Sequence, residues 1–205
     1  MNHHTINRDE TPIRLFKSDF LEGFTHVHPA VIVVIWLPVA VYALAWSLMA
    51  GLSVGIIVGG VLLGLFLWTM AEYLLHRFVF HFKARKPWQE RISFLFHGVH
   101  HAQPQSKTRL VMPPPVSIPL GLLFYGFFVL VVGVGMGQPA WVAPLLAGFT
   151  IGYLAYDLTH YATHHYRMKR GYFKMVRQHH WRHHIQSPNG RFGVSSPLWD
   201  RVFGT

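Results

Sequence analysis

The stretch LSVGIIVGGVLLGLFLWTMAEYLLHRFVFH, residues 52–81, decides how this chain is read. Leu52–Leu75 is apolar over a length that exceeds the ~20 residues needed to cross a bilayer as a helix. It runs without a lysine or arginine and then meets two histidines, His76 and His81. An apolar span that ends on metal-ligating side chains predicts a site at a membrane surface.

Working outward, the same segregation holds along the whole chain. All 18 Lys and Arg lie outside Gly23–His76 and Val111–His165. The net charge of +10 therefore does not describe a nucleic-acid binder, which spreads basic residues and aromatics over one solvated face. With 51% hydrophobic and 13% charged residues the chain is too apolar for an ordinary soluble domain. Cysteine is absent, which removes disulfides, iron–sulfur clusters and zinc ribbons as organising elements.

Four spans are expected, at about residues 29–50, 52–75, 116–136 and 141–158. The connectors Met49–Ser53 and Gly135–Pro139 are tiny and uncharged, so the spans pair into two helical hairpins. Arg8, Arg14 and Lys17 precede the first hairpin, Arg77 to Arg109 separate the two, and Arg167 to Arg182 follow the second. By the positive-inside rule all three polar segments, with both termini, face the cytoplasm. No cleavable signal peptide is visible. The expected organisation is a cytoplasmic N-terminal arm over 1–28 and a single all-α domain over 29–205, whose cap is formed by 76–115 and 159–205.

Most of the 16 histidines fall into four groups: HRFVFH (His76, His81), HGVHH (His97, His100, His101), HYATHH (His160, His164, His165) and HHWRHH (His179, His180, His183, His184). Positions i, i+3 and i+4 share a helix face, so His97, His100 and His101 should project together. The same holds for His180, His183 and His184, and for the pair His160 and His164. His76 and His81 are five apart and would diverge on an ideal helix, so a bend between them or ligation of different metals is expected. One metal rarely takes more than six ligands, and about ten convergent imidazoles imply two. Imidazole suits iron, zinc, copper and nickel. Glu72 and Asp157 are placed to accept the outer N–H of a ligand. His165 and His179 are the spare members of their doublets, for the same outer role or a structural one. His3, His4, His26 and His28 read as surface or hydrogen-bonding residues.

The chain has no Glu-x-x-His, His-Glu-x-x-His or Gly-x-Ser-x-Gly motif, which disfavours soluble-type di-iron sites and hydrolysis. Neutral imidazoles leave the positive charge of a metal pair uncancelled, which suits oxygen chemistry at iron. LLHRFVFH, FLFHGVHH, KTRLVMPP, YDLTHYATHH and GVSSPLWDRVFGT, within Trp68 to Thr205, resemble the fatty acid hydroxylase/sterol desaturase superfamily, and most closely its fatty acid 2-hydroxylase branch. That resemblance implies four spanning helices beneath a cytoplasmic helical cap. It implies two iron ions, which zinc can replace in purified protein, and O2 as co-substrate. The reaction implied is hydroxylation of a fatty acyl chain at C2, as free acid or within a sphingolipid or ceramide. Matching positions give His76, His81, His97, His100, His101, His160, His164, His180, His183 and His184 as ligands.

The haem-domain signature His-Pro-Gly-Gly of some family members is missing, since His28-Pro29-Ala30 opens an apolar helix. Electrons are therefore expected from a separate donor protein, for which Lys83, Arg85, Lys86, Arg167, Lys169 and Arg170 offer a basic patch. Phe78, Phe80, Phe82, Phe94 and Phe96 flank the histidines, to pack the core or to line an acyl tunnel. A sterol or carotenoid hydroxylase or desaturase is the nearest alternative. A divalent-metal transporter is the alternative of another class, disfavoured because no polar ligand lies near mid-bilayer.

Overall fold

The computed structural model describes residues 11–205 and is all-helical over that range. His3, His4 and Arg8 lie outside the described residues. Four helices are long and apolar enough to cross a membrane: α2 (Pro29–Met49), α3 (Val54–Phe80), α6 (Pro114–Gly135) and α7 (Pro139–His165). Shorter elements complete the chain: α1 (Asp19–Gly23), α4 (Pro87–Ser93), α5 (Val99–Ala102), α8 (Gly171–Ile185) and α9 (Leu198–Phe203).

Two of the spans start where a side chain provides for a free amide. Pro29 opens α2 behind His28, whose Nδ1 accepts from the Ala30 amide at 3.2 Å. The Ser53 hydroxyl accepts from the Ile56 amide at the start of α3. Gly51 (φ 68) and Gly137 (φ 64) sit in the two tight hairpin turns, a left-handed backbone that other residues enter at a cost.

The packing centres on α7. It is the most buried of the four spans and packs against both α3 and α2, whereas α6 lies at the edge. Lipid tails provide no hydrophobic drive between apolar helices, so close approach at small residues has to supply the attraction. Gly64 of α3 and Gly148 of α7 supply it: a Cβ on Gly148 would lie 2.0 Å from the Val61 carbonyl oxygen, and one on Gly64 would lie 2.2 Å from that of Leu145. Trp68 fills the space beside this crossing, edge-on to Phe149 and Tyr153.

The helices that carry the second and fourth expected spans run on past 75 and 158, α3 to Phe80 and α7 to His165. The polar residues that seemed to end them, among them Asp157, His160, Thr163 and His164, are buried against other elements rather than released into solvent. The described part of the arm is tied to the cap. The Ile13 amide donates to Gln103 Oε1 at 2.9 Å, the Val27 amide donates to the Thr108 carbonyl at 2.6 Å, and the buried Arg109 guanidinium binds the Ile13 carbonyl and the Glu22 carboxylate. Residues 11–27 are thereby strapped across the cap.

Candidate metal centre

The end of α3 is not α-helical. Leu75–Phe80 forms a π turn, and the His81 amide donates to the His76 carbonyl five residues back at 3.0 Å. The wider turn brings both imidazoles of HxxxxH to one side, which answers the spacing problem that an ideal helix poses. A second π turn, Phe94–Gly98, carries His97 into α5, where His100 and His101 follow.

Ten imidazoles meet in two sets of five. One set is His76, His81, His97, His101 and His183; the other is His100, His160, His164, His180 and His184. Within each set the ligand nitrogens lie within 4.8 Å of one another. Each HxxHH trio is divided between the sets, contrary to the expectation that its members act together. His97 and His101 go to the first and His100 to the second; His180 and His184 go to the second and His183 to the first. Residues i and i+4 share a line along the helix, while i+3 falls on the neighbouring line and reaches the neighbouring set.

The nitrogens are close enough to share a cation. In the first set His76 and His97 approach Nε2 to Nε2 at 3.0 Å, as do His81 and His183, and His101 lies 3.2 Å from His183. In the second, His164–His180 is 2.8 Å, and His160–His100, His100–His184 and His180–His184 are each 3.0 Å. Hydrogen bonds between rings do not account for all four contacts of the second set, because each Nε2 of a neutral imidazole offers either one N–H or one lone pair. His76 and His183 already direct Nδ1 at the carbonyls of Phe192 (2.5 Å) and Gly190 (2.7 Å), which only accept, so their Nε2 lone pairs are bare. Nitrogens about 2.1 Å from a common ion and roughly 90° apart stand roughly 3.0 Å from each other, which is the spacing found.

Protonation would defeat such a site, and the environment resists it. Burial holds His97, His100, His101, His180 and His184 well below the ordinary imidazole range, and it pushes His81 down to about 3 and His183 to about 4. The donor set is therefore neutral and all-nitrogen, which fits a borderline-soft divalent metal and poorly fits magnesium or calcium.

The expected carboxylate partners are placed differently. Glu72, 3% exposed, directs its carboxylate to the chain near the C-terminus: it accepts from the Val194 and Ser195 amides at 2.6 and 2.7 Å and from the Ser195 hydroxyl. Asp157 accepts from the Met112 amide at 3.1 Å and the Tyr153 hydroxyl at 3.1 Å. Both therefore anchor backbone, because a carboxylate buried in α3 or α7 needs several donors and the passing loops supply them. His179 and His165 stand outside both sets; His179 donates to Asp200 at 2.9 Å and His165 packs on Tyr161. Asp200, which the sequence reading passed over, accepts from the Phe192 and Gly193 amides at 2.8 Å each.

A cavity of about 340 Å³ reaches the centre, with His97, His100 and His160 among its lining residues. Its walls are mainly apolar, from Phe80 and Phe96, from Met112 and Val116, and from Leu15 and Phe16 of the strapped arm. Phe78 faces outward instead.

The described residues thus combine four helices able to cross a membrane, two all-histidine sets that could each hold a metal ion, and an apolar cavity beside them. The comparisons specify this combination further. The sequence pattern of the fatty acid hydroxylase family matches residues 61–205, and the chain belongs to that family. It is 39% identical over 203 residues to a dihydroceramide fatty acyl 2-hydroxylase of Arabidopsis thaliana, covering 99% of this chain and 83% of that protein. To the fatty acid 2-hydroxylase of Homo sapiens it is 34% identical over 226 residues, covering 99% of this chain and 58% of that one. The solved structure of full-length Scs7p, in which only the hydroxylase domain is visible, superposes with a TM-score of 0.83 at 35% identity, covering 91% of this chain and 69% of that one.

Proposed function

We propose that this protein hydroxylates a fatty acyl chain at C2, carried as the free acid or within a sphingolipid, using O2 and two electrons at a pair of iron ions. The balance is one C–H bond and O2, with two electrons and two protons, giving one C–OH and one water. The observation that carries the reading is the mainly apolar cavity that His97, His100 and His160 of the two histidine sets help to line. When bound, the ions supply the oxygen activation. His76, His81, His97, His101 and His183 would hold one and His100, His160, His164, His180 and His184 the other.

The chain's own residues do the rest. The cavity takes the acyl tail, and Leu15, Phe16 and Phe96 keep water from the reacting end. A polar group next to C2 would be received by the few polar side chains in the lining, Tyr156 and Arg109 among them. The relatives support C2 as the position, since those quoted above are named as 2-hydroxylases. The centre and both termini are assigned to the cytoplasmic side by the charge bias of the polar segments. A separate electron-donor protein would meet the exposed Lys83, Arg85, Lys86, Arg167, Lys169 and Arg170.

Expression in a host lacking 2-hydroxy lipids, followed by lipid mass spectrometry, tests this. The intact chain should produce 2-hydroxy acyl species, and His101→Ala or His184→Ala should abolish them. Oxidised sterols or carotenoids in their place, or product persisting in either variant, would overturn the assignment.

A further inference from the structure

We propose that Asp200 is a positioning residue for one of the two metal positions only, acting through the loop that aims His76 and His183. This rests on the metal-centre reading above. The two sets of five histidines are supported unequally. In the first set His76 and His183 are oriented by hydrogen bonds to the carbonyls of Phe192 and Gly190, both in the loop between α8 and α9. In the second set the Nδ1 atoms of His100, His160, His164, His180 and His184 are all buried with no such protein partner.

The loop in turn is held by carboxylates. Asp200 Oδ1 accepts from the Phe192 amide and the Thr205 hydroxyl, at 2.8 and 2.9 Å, and Oδ2 accepts from the Gly193 amide and His179 Nε2, at 2.8 and 2.9 Å. His179 lies one turn before His183 on α8, so the same carboxylate ties the loop to the helix that bears a ligand. Glu72 fixes the next two amides, of Val194 and Ser195. The Phe192 residue therefore has its N–H on Asp200 and its C=O on His76: the carboxylate sets the peptide and the peptide sets the ring. Asp200 also reaches α8 through His179, next to His180, but among the described residues no hydrogen bond from its loop aims a ring of the second set.

Partners behind metal-bound imidazoles typically contribute 10–100-fold in metal affinity. The test isolates each position in the full-length, detergent-purified protein, with zinc as the probe and chelator competition as the readout. His164→Ala leaves the first position intact, and His101→Ala leaves the second. Adding Asp200→Ala should weaken zinc binding roughly 10–100-fold in the His164→Ala background and leave it unchanged in the His101→Ala background. Asp200→Asn, which keeps one oxygen acceptor for the loop, should restore part of the loss. Gly193→Ala is the second route should Asp200→Ala fail to fold, since its Cβ would lie 2.0 Å from the Ser196 carbonyl oxygen and 2.9 Å from Asp200 Oδ2 and so push the loop off a carboxylate that is itself retained. Equal weakening in both backgrounds would mark Asp200 as generally structural and overturn the proposal, as would no weakening in either. A parent protein that binds no zinc would remove the metal centre itself, a separate and recognisable failure.

Discussion

Arg109 shows how much a single side chain controls here. It is buried, and its guanidinium joins Glu22, the Ile13 carbonyl and His26. Removing it leaves the Glu22 carboxylate with the Leu15 and Phe16 amides, at 3.0 and 2.8 Å, and the more distant His26 Nε2 at 3.7 Å. Breaking a largely buried ion pair by deleting one partner costs on the order of 3 kcal/mol. Arg109→Met should therefore lower the melting temperature and expose residues 11–27 to limited proteolysis; unchanged cleavage would show that the strap is held by other contacts. In the sequence Arg109 looked like one more topology-setting base, because nothing local links it to an acid 87 positions away. The ten clustered histidines were legible for the opposite reason, since their spacing is itself the local signal. Asp200 was not, because WDRVFGT reads as a short packed helix and its carboxylate acts on backbone amides that carry no sequence signature.

At the scale of elements the crossing of α3 and α7 carries the site, because α3 ends in His76 and α7 bears His160 and His164. Gly148→Val should force these helices apart, lowering the melting temperature and weakening zinc retention together. Overpacking of this kind costs about 1–3 kcal/mol or more. Gly126→Val is the control: a Cβ there meets nothing within 4 Å, so stability and metal content should match the parent. If Gly148→Val behaves like Gly126→Val, the close approach does not determine the site. The apolar blocks announced the spans through their exclusion of Lys and Arg, but the α3 extension and the two π turns could not be read in advance. They depend on a hydrogen-bond register that the buried cap imposes on sequences otherwise compatible with an α-helix.

The molecule as a whole gathers its neutral imidazoles away from water, which makes the metal-free chain acid-sensitive. His81 and His183 are pushed down to about 3 and 4, below an unfolded value of about 6.5. The unfolded chain thus takes up these protons first. Their contribution is complete above about pH 6.5 and is lost as pH falls toward 3–4. The melting temperature of chelator-stripped protein should drop steadily from pH 7 to pH 5, and a flat profile would mean the rings are already hydrated. The division of each HxxHH trio has a mechanical corollary. His100 and His101 are adjacent residues serving different sets, and so are His183 and His184. One peptide link is thus the ruler between the two positions, and it is laid down twice, on separate helices. A tilt of either helix carries both positions along, so a force on the cap can displace the pair but has little leverage to stretch it.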